Sequence, residues 1–133
     1  MRIFFVWVLM VVASTLVYSQ TTLSFCAGID NERCAFNNTK FISVPDSSTA
    51  KIFMMVSGNN DQTLATGKLI YKLYSVNKKG EEVYINTLEQ SIQPEWIYAW
   101  QPAFFNTPGK YIVKVYNDAN RILNTKSFEL FDR

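Results

Sequence analysis

Lys68-Leu69-Ile70-Tyr71-Lys72-Leu73-Tyr74-Ser75-Val76, then Asn77-Lys78-Lys79-Gly80, then Glu82-Val83-Tyr84-Ile85-Asn86-Thr87-Leu88 is the stretch on which the fold turns. Leu69, Tyr71 and Leu73 fall on one side of an extended chain, and Lys68, Lys72 and Tyr74 on the other. An apolar face alternating with a charged one at period two is the pattern of a strand in a sheet wetted on one side. Asn-Lys-Lys-Gly is turn chemistry, so residues 82–88 return as the antiparallel partner, with Val83 and Ile85 facing one way.

Working outward, short apolar stretches recur between turn-rich punctuation. Residues 40–44 end at Pro45-Asp46-Ser47-Ser48, and residues 51–56 at Ser57-Gly58-Asn59-Asn60-Asp61. Residues 97–105 carry Pro102, which marks an edge strand or a bulge, since proline cannot donate to a ladder. Residues 110–116 place Tyr111, Val113 and Val115 on one face, and residues 121–131 close the chain after Asn117-Asp118-Ala119-Asn120. No stretch shows sustained helical spacing with a capping start and a glycine stop; residues 89–96 are the one place for a short helical turn. Seven short strands in about a hundred residues predict an all-β domain, a two-sheet antiparallel sandwich, with a small barrel as the alternative.

The chain opens with Met1-Arg2, an apolar run over residues 3–12, and a smaller, more polar stretch ending at Ser19. That run is too short for a membrane span and has the plan of a cleaved helical signal peptide over residues 1–19, with Gln20 as the mature start. A lipid attached at Cys26 is set aside because bulky Phe25 precedes it. The expected division is therefore a signal at 1–19, an N-terminal segment with a disulfide loop at 20–38, and the sandwich at 39–133. Loss of Arg2 leaves 12 positive against 11 negative side chains, with no histidine. Near neutrality argues against a nucleic-acid partner or a polybasic membrane binder. Lys68, Lys72, Lys78 and Lys79 read as a solvated face. Export predicts a secreted, periplasmic or cell-surface location.

In an oxidising compartment Cys26 and Cys34 pair most simply with each other, closing a small polar loop worth about 2.5 kcal/mol at most. Asp30, Asn31 and Glu32 in that loop are oxygen donors of the kind calcium takes, but no EF-hand spacing surrounds them and Arg33 opposes a cation, so a solvated turn is expected. Asn37-Asn38-Thr39 is an N-glycosylation sequon, with Asn37 the acceptor if the source is a eukaryote.

Thr107-Pro108-Gly109-Lys110-Tyr111-Ile112-Val113-Lys114-Val115 resembles the penultimate strand of bacterial secreted immunoglobulin-like β-sandwich domains, where Gly-x-Tyr leads into an alternating strand. The resemblance implies that the Tyr111 hydroxyl ties back to the preceding corner. Val113 stands where antibody-type domains carry cysteine, and residues 68–76 contain no tryptophan. What is implied is therefore an immunoglobulin-like sandwich without the inter-sheet disulfide.

No nucleophile–base motif, phosphate loop or dinucleotide fingerprint is present, so no catalytic residue, cofactor or metal ligand is expected. Glu81 and Glu82 are adjacent and point to opposite faces of a strand; Glu89 and Glu95 are the one carboxylate pair able to converge as in a small glycosidase. The unusual feature is aromatic. Trp96, Tyr98 and Trp100, with Phe104 continuing, form a ladder on one face of an extended chain. The ladder reads first as the inward face of a sheet. Its competing reading is a sugar platform, with Gln93, Glu95 and Gln101 as polar partners. The functional expectation is a non-enzymatic exported module acting by protein or cell-envelope contact, through strand addition at residues 97–105 or the last strand. A carbohydrate-binding module on the ladder is the second.

Overall fold

The structure is a computed structural model that describes residues 21–30, 33–37, 40–42 and 50–131. The expected signal at residues 1–19, the loop residues Asn31 and Glu32, and the sequon residues Asn38 and Thr39 lie outside the described residues; for Cys34 and Asn37 the backbone alone is described.

The described residues form nine strands: β1 (Thr21–Asp30), β2 (Arg33–Asn37), β3 (Lys40–Ile42), β4 (Ala50–Gly58), β5 (Lys68–Val76), β6 (Glu82–Ser91), β7 (Tyr98–Phe105), β8 (Gly109–Tyr116) and β9 (Ile122–Phe131). They make a four-stranded sheet in the order β2-β1-β4-β7 and a five-stranded sheet in the order β3-β9-β8-β5-β6. Pairing is antiparallel except where β3 lies parallel to β9, Lys40 opposite Glu129. The fold is thus an immunoglobulin-like two-sheet sandwich, and the seven expected strands are β3 to β9.

The two strands beyond seven come from the N-terminal segment. Leu23 and Phe25 alternate toward the interior and are buried, which draws β1 between β2 and β4. The expected division between residues 20–38 and 39–133 therefore falls inside the four-stranded sheet. Cys26 is fully buried on the other face of β1, outside the core cluster, and no free cysteine stands among the described residues.

Alternation in β4, β5 and β8 buries Ile52, Met54, Val56, Leu69, Tyr71, Leu73, Tyr111, Val113 and Val115. At one end of the core, aromatic rings from both sheets meet around Phe128. Its ring centroid lies 4.8 Å from Phe25, 5.1 Å from Phe105 and 5.5 Å from Tyr111. The three contacts are tilted, edge-on and stacked in turn, and such pairs add about 0.5–1.5 kcal/mol each to the burial of apolar area. Tyr111 also donates its hydroxyl to the Thr107 carbonyl, the backward tie implied by the resemblance.

Two hairpins are built alike. Asn77 Oδ1 accepts from the backbone of Lys79 and Glu81, and Asn117 Oδ1 accepts from the backbone of Ala119 and Arg121. Each turn ends in a left-handed residue, Gly80 at φ +81° and Asn120 at φ +61°. Asparagine at the head and glycine or asparagine at the left-handed position are what a type I turn with a following bulge selects.

Val83 (47% exposed) and Ile85 (46%) of β6 are both exposed. Two expectations are corrected. The last strand is not an open edge: β3 pairs with its end, while Lys126 sits opposite inward-facing Val113 with Nζ 5.9 Å from the Phe25 ring. An inward-turned lysine is a known guard against strand addition. Residues 89–96 form no helix: Glu89 to Ser91 extend β6, Trp96 N–H closes one turn on the Gln93 carbonyl, and the 3-10 segment among the described residues lies at Asn59–Asp61.

Candidate functional site: a groove along the β7 edge

β7 is an edge strand, and its pattern is inverted. Ala99, Ala103 and Phe105 point inward and are buried, whereas Trp100 is 39% and Phe104 62% exposed on the outer face. The ladder expected to fill the core therefore faces solvent. The physical reason is volume. Tyr71, Phe25, Phe128 and the aliphatic residues of β1, β4, β5 and β8 already occupy the interior, leaving room for only alanine at two of the inner positions of β7.

Trp96 is 43% exposed and lies just before β7. Its carbonyl accepts from Leu64 N–H at 2.7 Å, and Pro94 and Ile97 carbonyls accept from Ala65 and Gly58. Leu64 and Thr66 are buried beneath, with the Thr66 hydroxyl donating to the Lys68 carbonyl and accepting from Asp118 N–H. These bonds clamp the loop carrying Trp96 against residues 62–67, so the indole is displayed from a fixed support. Gly58 passes so close to Gln62 that a Cβ would lie 1.9 Å from its carbonyl oxygen.

On the outer face of the sheet, Met55 of β4 lies opposite Trp100, Phe53 opposite Pro102, and Lys51 opposite Phe104. The Phe53 ring meets Trp100 edge-on at 5.7 Å. Lys51 Nζ stands 5.0 Å from the Phe53 centroid and 5.9 Å from that of Phe104, within cation–π range.

Between this edge and β6 runs an open groove of about 740 Å³, lined among others by Gln90, Glu95, Trp96, Tyr98, Trp100 and Gln101. The three ladder residues are thus brought together with two of their three expected polar partners; Gln93 does not line it. Glu89 and Glu95 are not assembled into a pair there. Glu95 lines the groove, while Glu89 pairs with Lys68 at 3.7 Å. Among the described residues, no group of three or more Cys, Asp or Glu is placed to hold a metal ion.

Gln90 is the groove residue that strand reasoning missed. Its Oε1 accepts from the Tyr71 hydroxyl at 2.7 Å, and its Nε2 donates to the Trp100 carbonyl at 2.8 Å. One carboxamide therefore ties a core tyrosine to the edge of the opposite sheet. The signal was present: Gln90 sits in the inward phase of β6 between Leu88 and Ile92, where a polar side chain needs a buried partner. Burial holds the Tyr71 hydroxyl pKa well above its ordinary value, so it remains a donor.

No protein-family model and no curated protein matches the sequence. Among solved structures, an immunoglobulin-like protein from Pseudomonas aeruginosa superposes with a TM-score of 0.51 at 13% identity, covering 86% of this chain and 98% of that one. A superoxide reductase (neelaredoxin) from Ignicoccus hospitalis gives 0.45 at 10% identity over 90% of this chain and 85% of that one. A β-glucosidase from Listeria innocua gives 0.42 at 10% identity over 86% of this chain and 16% of that one. The first likeness supports the immunoglobulin-like fold, and the other two carry no argument.

Proposed function

We propose that this chain is an exported, non-enzymatic β-sandwich module that works by contact, and that its ligand is a carbohydrate chain received in the Trp96–Tyr98–Trp100 groove. The outward display of two indoles on a clamped loop and a rigid edge strand carries the reading. Sugar rings present C–H groups that stack on the negative face of an aromatic ring, while hydroxyls need amide and carboxylate partners such as Gln101 and Glu95. Strand addition of a protein partner at β7 is disfavoured by two features. Pro102 offers no N–H, and Gln90 already occupies the Trp100 carbonyl on the open edge. Export, with a Cys26–Cys34 disulfide in the oxidising compartment, belongs to the same proposal and places the module outside the cell or in the periplasm.

The test is fluorescence titration against a glycan panel. Trp7 belongs to the export segment, so Trp96 and Trp100 are the only indoles of the mature chain and the signal reports the groove alone. A saturable shift that Trp100→Ala removes is expected. A panel without any shift, or shifts indifferent to Trp100→Ala, would sink the reading.

A further inference from the structure

We infer that the ligand is an acidic glycan, carrying carboxylate or sulfate groups, and that Lys51 is the residue that selects it. This rests on the carbohydrate reading above and deepens it. The outer-face row runs from Trp100 past Pro102 to Phe104, and Lys51 is the cross-strand neighbour of the last. Its ammonium lies over an apolar floor of two rings and is exposed. Lys68 and Lys114 are paired with Glu89 and Glu82, both on the other sheet. Residues 96–105 of the edge strand and its approach contain no acid, and neither do residues 50–58 of β4. The carboxylate that lines the groove is Glu95, and Lys51 stands outside that lining, on the outer face of β4. Among the described side chains no carboxylate pairs with Lys51, whose ammonium stands on the same face as the stacking indole. An anionic group on a sugar laid along Trp100 and Phe104 would complete a charge-assisted hydrogen bond there. A neutral sugar would leave the ammonium solvated and gain nothing from it.

The experiment titrates the mature protein with neutral, uronate-bearing and sulfated oligosaccharides, in wild type, Lys51→Gln and Trp100→Ala. Acidic chains are expected to bind roughly tenfold more tightly than neutral ones, with Lys51→Gln removing that preference. Raising salt to about 0.5 M should weaken the acidic ligands alone. The uronate and sulfate arms identify which anion is preferred. Neutral glycans binding as well as acidic ones, or Lys51→Gln leaving acidic affinity unchanged, would overturn the inference while leaving the carbohydrate reading standing. Binding of no glycan at all would overturn both. Lys51 is exposed, and an unchanged urea midpoint in Lys51→Gln certifies that any loss is one of recognition.

Discussion

Replacing Gln90 with alanine tests the link between the core and the groove. The substitution removes two hydrogen bonds at once, but their costs differ. Tyr71 is fully buried, so its hydroxyl is left without a partner, at about 1–3 kcal/mol. The Trp100 carbonyl sits at an open edge where water replaces the lost donor, so its share is small. The sum is about 2 kcal/mol, which for a domain of this size displaces the urea midpoint by roughly 1 M. Tyr71→Phe alone should cost less, about 0.5–1.5 kcal/mol, because half-exposed Gln90 turns to solvent. The double variant should be more stable than additivity allows by about 1 kcal/mol, since deleting the hydroxyl removes the very group that Gln90→Ala orphans. Urea unfolding of the four proteins, followed by indole fluorescence, measures the cycle. Additive losses, or a Gln90→Ala midpoint equal to wild type, would refute the tie.

Phe128→Ala should cost about 3–5 kcal/mol by opening a void at the meeting point of Phe25, Phe105 and Tyr111, visible as a large fall in the unfolding midpoint. Gly58→Ala should displace residues 59–62 and loosen the clamp on Trp96, read as increased acrylamide quenching with the β-sheet circular dichroism retained. Alkali separates Tyr71 from other tyrosines. Its pKa is raised above the ordinary 10.0 by burial, so its contribution is intact below that pH and is lost as pH climbs, when the unfolded chain ionises and the folded one does not. Wild type should therefore lose stability more steeply than Tyr71→Phe above about pH 10; parallel curves would contradict this.

Much of the scaffold was readable because local chemistry and period agreed. Residues 68–76 alternate cleanly and do form β5, Asn77 and Asn117 head turns as their chemistry requires, and Tyr111 ties back to Thr107 as the resemblance implied. β1 was hidden because the cysteine spacing drew attention to a loop, although Leu23 and Phe25 already alternated. The face of β7 was not readable from its own residues. Period two says which side chains share a side, while which side is inside depends on how much volume other strands have filled. The ladder residues themselves were identifiable, and what the structure adds is their accessibility and the amide of Gln90 between the two sheets.

The twin asparagine-headed turns bear on the order in which the molecule assembles. Each joins neighbours a few positions apart, whereas β3 meets β9 across nearly ninety, Lys40 to Glu129. Chain closure over so long a span is slow and unrewarded until its target surface exists. The β5–β6 and β8–β9 ribbons should consequently mature early and serve as the template, with β1 and β3 laid on afterwards. Disturbing the Asn77 or Asn117 heads would then retard refolding, whereas trimming Leu23 would chiefly hasten unfolding, a contrast that stopped-flow chevrons resolve. A newly made chain would thus carry Leu23 and Phe25 uncovered for as long as its first strand hangs free.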